Sequence, residues 1–155
     1  MIKKQIGSLC LFILLVSLAC IPGCKKNAPI KTDVVTGVIT MDGAPLAGAR
    51  VTFSPVDASG SVAIGTTDDS GKYILQTLLG AADAGTTPGD YIVSVSKTVN
   101  EPTGKQEMSE SAGEMMDIMI AKELVPAKFT NKKSTPHKAT VVANQPNSFD
   151  FDVSK

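Results

Sequence analysis

The chain has 155 residues and balances 15 Lys and Arg against 15 Asp and Glu. This size and charge exclude a second large domain and give no basic face for nucleic acid. All three cysteines, Cys10, Cys20 and Cys24, stand near the start, so the body has no disulfide framework, thiol nucleophile or thiolate zinc site, and His137 is its only histidine.

The chain opens on a positive segment, with Lys3 and Lys4, followed by an apolar run over residues 9–19 (LCLFILLVSLA). That run is too short to cross a bilayer stably and has the make-up of a signal-peptide core, so residues 1–23 are expected to be a helical export signal. Ile21-Pro22-Gly23-Cys24 resembles a lipobox, with a small residue before the cysteine and a branched aliphatic two positions further back. Ser17-Leu18-Ala19-Cys20 resembles one too, which makes Cys24 the expected lipidation site and Cys20 the alternative. A cysteine there can carry diacylglycerol and an N-terminal acyl chain such as palmitate, and several chains, at about 0.8 kcal/mol per buried methylene, anchor far better than one. Cleavage before Cys24 leaves roughly 130 residues, one domain of ordinary size. Loss of Lys3 and Lys4 makes the mature chain slightly acidic. Residues 24–33 are polar and aperiodic and read as a tether reaching roughly 30 Å when extended.

From residue 32 onward apolar residues alternate with polar ones and turn residues interrupt them, the pattern of an all-β, seven-stranded antiparallel sandwich. The first strand, residues 32–41, places Val35, Gly37, Ile39 and Met41 on one face and ends at Asp42-Gly43. The second carries Ala49, Val51 and Phe53 toward the core and stops at Pro55. Residues 61–67 and 72–77 are expected to form a hairpin about Asp68-Asp69-Ser70-Gly71, with Tyr73 and Leu75 facing one way. A loop over residues 78–90 leads to a fifth strand with Tyr91, Val93 and Val95 inward. Two C-terminal strands, residues 139–143 and 148–153, are joined by Asn144-Gln145-Pro146-Asn147. The last turns Phe149, Phe151 and Val153 inward and Asp150 and Asp152 outward.

Residues 100–123 interrupt this pattern as an insertion. Residues 100–106 read as a loop, and residues 109–123 as one short helix ending before Pro126. The helix is expected because Ala112, Met115, Met116, Met119 and Ile120 stand at helical spacing, and Ser111 and Glu114 suit a capping box.

Particular residues then resemble a family. Val35, Gly37, Ile39, Asp42-Gly43, Pro45-Leu46, Gly48-Ala49, Val51 and Phe53 resemble the opening of carboxypeptidase regulatory-like domains. Gly65-Thr66-Thr67-Asp68, Gly71 and Tyr73, then Pro88-Gly89, Tyr91, Val93 and Val95, resemble their middle. The tail, with Pro126, Phe129, Val141, Asn147 and Phe151, looks like small bacterial lipoproteins that carry this domain as nearly their whole mature chain, so the resemblance covers residues 34–154. It implies a transthyretin-like, prealbumin-like or Ig-like β-sandwich without catalytic residues. The resemblance carries fold better than function, because this sandwich is reused in many settings.

Candidate chemistry is sparse. One histidine and one arginine, His137 and Arg50, cannot assemble a two-histidine zinc hydrolase site or a His and Arg cluster, and no nucleophile-elbow motif accompanies His137, which is expected at the surface. Asp68-Asp69-Ser70-Gly71, with Asp57 nearby in sequence, has the make-up of a cation loop but fits a hairpin turn better, because regularly spaced further acids are missing. A Lys–Asn isopeptide would need a buried acid between the pair, and no Glu precedes Glu101. Met108, Met115, Met116 and Met119 would be a helix stripe packed on the domain, or else an adaptable docking surface or soft-metal site. The expectation is therefore no catalytic, cofactor or metal residues, and a non-enzymatic envelope protein anchored by lipid to the cell membrane or outer membrane. Its domain would face the periplasm or exterior and contact an envelope protein or glycan. A carbohydrate-binding or substrate-tethering accessory module is the alternative; it would display aromatic residues on one face, whereas Tyr73 and Tyr91 are expected in the core.

Overall fold

The structure, a computed structural model, describes residues 31–58, 60–77, 85–108 and 113–155. The expected signal segment, Cys10, Cys20 and Cys24, most of the tether, residues 78–84 and the first residues of the expected helix lie outside these. Strands dominate: β1 (Val35–Met41), β2 (Ala44–Pro45), β3 (Arg50–Pro55), β4 (Ala63–Thr66), β5 (Lys72–Ile74), β6 (Gln76–Thr77), β7 (Gly89–Ser96), β8 (Thr98–Met108), β9 (Met115–Glu123), β10 (Lys138–Val141), β11 (Asn147–Ser148) and β12 (Phe151–Asp152). One four-residue helix, α1 (Ala127–Thr130), precedes β10. The described residues are mostly β, as the alternating sequence implies.

Two sheets share one core. The first runs β10-β7-β3-β4-β6, antiparallel throughout, and the second gathers β2, β5, β11 and β12 around β1. Alternation works as the sequence predicts: Ala49, Val51 and Phe53 on one side of the chain, and Val93 and Val95 on β7, are wholly buried. Phe53 sits at the centre, its ring 5.8 Å from Tyr91, 6.0 Å from Phe149 and 6.3 Å from both Tyr73 and Phe151. None of these pairs is a face-to-face sandwich; the tilted and edge contacts suit the ring quadrupoles.

The second sheet corrects two expectations. Residues 61–67 and 72–77 do not form one hairpin: β4 pairs with β6, but β5 leaves to pair with β1, Gly37 opposite Tyr73. The turn directs this crossing, because Gly71 adopts φ 73° and its carbonyl accepts from Ile39 N, 2.9 Å away, which draws the strand onto β1. The C-terminal strands, likewise, are not a pair. Whereas β10 joins β7, β11 and β12 run parallel to β1, so the last strand is parallel where an antiparallel one was expected. Buried Asn147 organises the passage between sheets: its amide accepts from Val142 N and donates to the carbonyls of Val142 and Gln145, all within 3.0 Å. The side chain thus supplies the hydrogen bonds that a strand ladder would otherwise give.

Between β11 and β12 the ladder is interrupted, and side chains bridge it. Asp150 accepts from Val38 N at 2.8 Å, and Tyr73 reaches across β1 to donate its hydroxyl to the Phe149 carbonyl at 2.8 Å. Only glycine permits that reach: a Cβ on Gly37 would lie 1.8 Å from the Phe149 carbonyl oxygen and 2.8 Å from the Tyr73 hydroxyl.

The domain takes hold of the chain at Asp33, the last residue expected in the tether. Asp33 is buried, exchanges two main-chain hydrogen bonds with Thr86, and accepts from Asn144 N through its carboxylate.

The main correction concerns residues 100–123. The expected loop and the described part of the expected helix are the two strands of a separate antiparallel ribbon, β8 and β9. Met, Ala, Lys and Glu favour a helix in isolation, but the ladder with β8, together with the β-branched Ile118 and Ile120, holds β9 extended and overrides that preference.

Candidate functional site: an exposed two-stranded ribbon

The ribbon leaves the domain where β7 ends. Leu124 N donates to the Lys97 carbonyl at 2.9 Å, while the Glu123 carboxylate accepts from Lys97 N at 2.7 Å and Val125 N at 3.0 Å, which clamps the base. From there β8 extends for 11 residues and β9 for 9, paired only with each other. Among the described residues, no element covers either face. Met108, Met115, Met116, Met119 and Ile120 are between 51% and 69% exposed. That is a concentration of exposed apolar side chains unlike the rest of the surface.

Strand geometry sorts these residues differently from a helix. Met108 stands opposite Met115 and Pro102 opposite Met119, on one face with the Gln106 and Asp117 pair, whose side chains hydrogen-bond at 3.0 Å. The other face carries Met116, Ile118 and Ile120, with Glu107 opposite Met116 and Glu101 opposite Ile120. The methionine stripe expected on one helix face is therefore split between two sheet faces. An exposed ion pair, Lys122 to Glu101 at 3.0 Å, adds little stability in water but fixes the ladder near its base.

The two long edges differ. The edge of β8 is blunted by Pro102 and by an irregular stretch between Pro102 and Gln106 that includes Gly104 at φ 75°. By contrast, β9 is continuous from Met115 to Glu123, without proline, glycine or bulge. Because Leu124 N points at β8, alternation turns the main-chain groups of Met115, Asp117, Met119 and Ala121 outward, where no described strand meets them.

The ribbon and the chain's entry occupy opposite ends of the domain. Ser96, next to the ribbon's base, pairs with Arg50 at one end of β7. Asp33 is held by Thr86 and Asn144 at the other end, where Gly89 pairs with Val141.

The other candidates fall elsewhere. His137, expected at the surface, is half-buried: its ring stacks on Phe129 at 4.9 Å and 11° and meets Phe151 at 4.8 Å. Its Nε2 is buried without a hydrogen-bond partner, and burial pulls its pKa below the ordinary histidine value, against the opposing pull of the Asp152 main chain. Phe129 comes from α1, eight residues earlier, and Phe151 from the last strand, fourteen residues later, and only the fold brings both against the ring. Asp68 is a turn residue. One of its oxygens accepts from Ser70 N, Ser70 Oγ and Lys72 N, which holds the carboxyl below the usual carboxylate range, with the Ser70 hydroxyl the main cause. Among the described residues no group of three or more His, Cys, Asp or Glu is placed to hold a metal ion. Tyr73 and Tyr91 are buried, their hydroxyls bonded to Phe149 O and Thr87 O. Beside Tyr73 a groove of about 470 Å³ crosses the outer face of β1, lined by Thr36, Val38, Lys72, Ser148 and Asp150. No helix among the described residues is long and apolar enough to cross a membrane.

Comparison with protein-family models and with curated proteins gives no match. Among solved structures, the crystal structure of a 9R-lipoxygenase from Cyanothece PCC8801 is similar at TM-score 0.35 and 10% identity, over 96% of this chain and 20% of that one. This chain thus spans about a fifth of that protein, and a likeness of this size bears on neither fold nor activity.

Proposed function

We propose that the protein is a non-enzymatic, lipid-anchored component of the cell envelope. Its body is a carboxypeptidase regulatory-like β-sandwich, and its β8–β9 ribbon is the contact surface for a protein. The observation that carries the reading is the ribbon itself: a twin-stranded projection that exposes methionine on both faces and isoleucine on one, while no residue of it belongs to the core. A surface of that kind suits partner contact, because methionine adapts to irregular shapes at little cost.

Support for the anchor is the positive start, the apolar run and the cysteines Cys24 and Cys20 behind it. Support for a protein rather than a glycan is composition: the ribbon contains no Phe, Tyr or Trp to stack on a sugar ring. Lys105 and Lys122 are its only bases among several acids, so an anionic lipid surface would repel it. Its position fits as well, since a tether entering at Asp33 leaves the ribbon at the far end of the domain from the lipid.

The test of the anchor is Cys24→Ser in the full-length chain. We expect the variant to leave the detergent phase and keep its signal segment, with mass spectrometry of the unaltered protein placing the acyl groups on Cys24. Acylation at Cys20 would move the site, and a protein without acyl groups would refute the anchored reading.

A further inference from the structure

We propose that the ribbon's partner is a second copy of this chain, paired edge to edge through β9 about a two-fold axis at Ile118. The inference rests on the ribbon being a contact surface, and it is independent of the lipid anchor.

The open edge of β9 is the starting point. Met115, Asp117, Met119 and Ala121 turn their main-chain donors and acceptors outward along an unbroken strand, while Pro102 and the adjoining irregularity disable the edge of β8. A strand of this kind accepts another strand, and the sequence of β9 selects which one.

Two identical strands related by a two-fold axis pair antiparallel, with residues of the same face opposite each other. With the axis at Ile118, Ile118 faces its own copy, Met116 faces Ile120 and Met115 faces Ala121. Glu114 of each copy then faces Lys122 of the other, giving an ion pair at each end of an aliphatic row. Neighbouring registers fail on charge. An axis at Asp117 opposes the two Asp117 carboxylates. An axis at Met119 sets Met116 against Lys122 and strands Glu114. An axis at Ile120 sets Asp117 against Glu123. Main-chain phase agrees with the Ile118 register: Ile118 points its own backbone groups at β8, so the pair about the axis is a non-hydrogen-bonded one, the kind in which side chains approach most closely. The flanking residues, whose groups point outward, supply the hydrogen bonds. The product is a four-stranded sheet, β8-β9-β9-β8, whose two outer edges are both the blunted edge of β8. The assembly closes on itself rather than growing.

Disulfide trapping in the full-length chain tests this. Ile118→Cys, oxidised in intact cells, should give a covalent dimer far above the background of the unaltered chain with its native cysteines, while Glu107→Cys on β8 should stay at that background. If the Ile118 substitution disturbs the ribbon, Met116→Cys/Ile120→Cys provides the same test, because those two positions lie too far apart to bond within one chain. Lys122→Glu should cut the Ile118→Cys yield several-fold, and adding Glu114→Lys should restore it, although the Lys122 pair with Glu101 stays broken. Cross-linking no greater than that of Glu107→Cys in both cysteine variants, or failure of the charge swap to restore it, would overturn the proposal. Detergent-phase partition of the same samples reads the anchor separately: dimers from an unacylated protein refute the anchored reading alone.

Discussion

The domain and the ribbon are built from the same element and obey different rules. In the domain each long strand has one face against Phe53 and its neighbours and one face toward water, so β1, β3 and β7 read as strict alternation. In the ribbon neither face is selected by burial, and apolar residues occupy β9 on both sides. Burial writes a period into sequence; pairing alone does not. The stability of the two regions differs for the same reason. A two-stranded ribbon without a covered face is marginal by itself and is held by its base, whereas the domain rests on a shared core.

The sharpest way to expose that difference is to empty the centre. Phe53 is fully buried and touches four other rings, so Phe53→Ala should cost about 3–5 kcal/mol, measured by denaturant unfolding of the purified full-length chain. A cost near that of a surface substitution would mean that the two sheets do not share this core.

A smaller and pH-dependent effect is expected at His137, on the domain's flank. Its pKa is lowered in the folded state, so the unfolded chain binds the proton more readily. The stability that the neutral ring contributes is complete above the ordinary histidine value of about 6.5 and is lost as pH falls from there through the lower folded value. Unfolding of the unaltered chain should therefore become easier between neutral and mildly acidic pH, and His137→Phe, which keeps the stack on Phe129 and Phe151, should flatten that part of the profile. An unchanged slope in the variant would show that the ring is not the group responsible.

These contrasts explain which parts were legible in the sequence. Val35, Phe53, Tyr91 and Val95 announced their strands because each alternates against a common core. The Asp42-Gly43 and Asp68-Gly71 turns were equally plain, since Asp42 and Gly43 both take positive φ and Asp68 caps its own turn. The departure of β5 to β1 and the parallel course of the last strand were not legible, because they depend on long-range groups: the Gly71 carbonyl on Ile39, the Asn147 amide on Val142 and the Tyr73 hydroxyl above Gly37. At the candidate site the residues were singled out but their geometry was misread. Met115, Met116, Met119 and Ile120 have helical spacing by coincidence, and the usable signals were weaker: Pro102 and Gly104 in one segment, the β-branched Ile118 and Ile120 in the other, and a Ser- and Gly-containing join between them.

The smallest expected effect sharpens the comparison from the other side. Replacing residues 99–122 by a short Gly/Ser linker removes the exposed methionines but retains Lys97 and the Glu123 clamp at the base. No residue of β8 or β9 belongs to the core cluster, so the loss in unfolding free energy should stay within about 0.5 kcal/mol, the range of surface changes away from structural features. The slope of unfolding against denaturant should fall only slightly, because that slope follows the area exposed on unfolding and the ribbon is already largely exposed. A large drop in midpoint would mean that the ribbon stabilises the domain, and its methionines would then be structural rather than a surface for contact. An unchanged midpoint would assign the stability of the domain to the two sheets and leave the ribbon as a surface that the fold does not require.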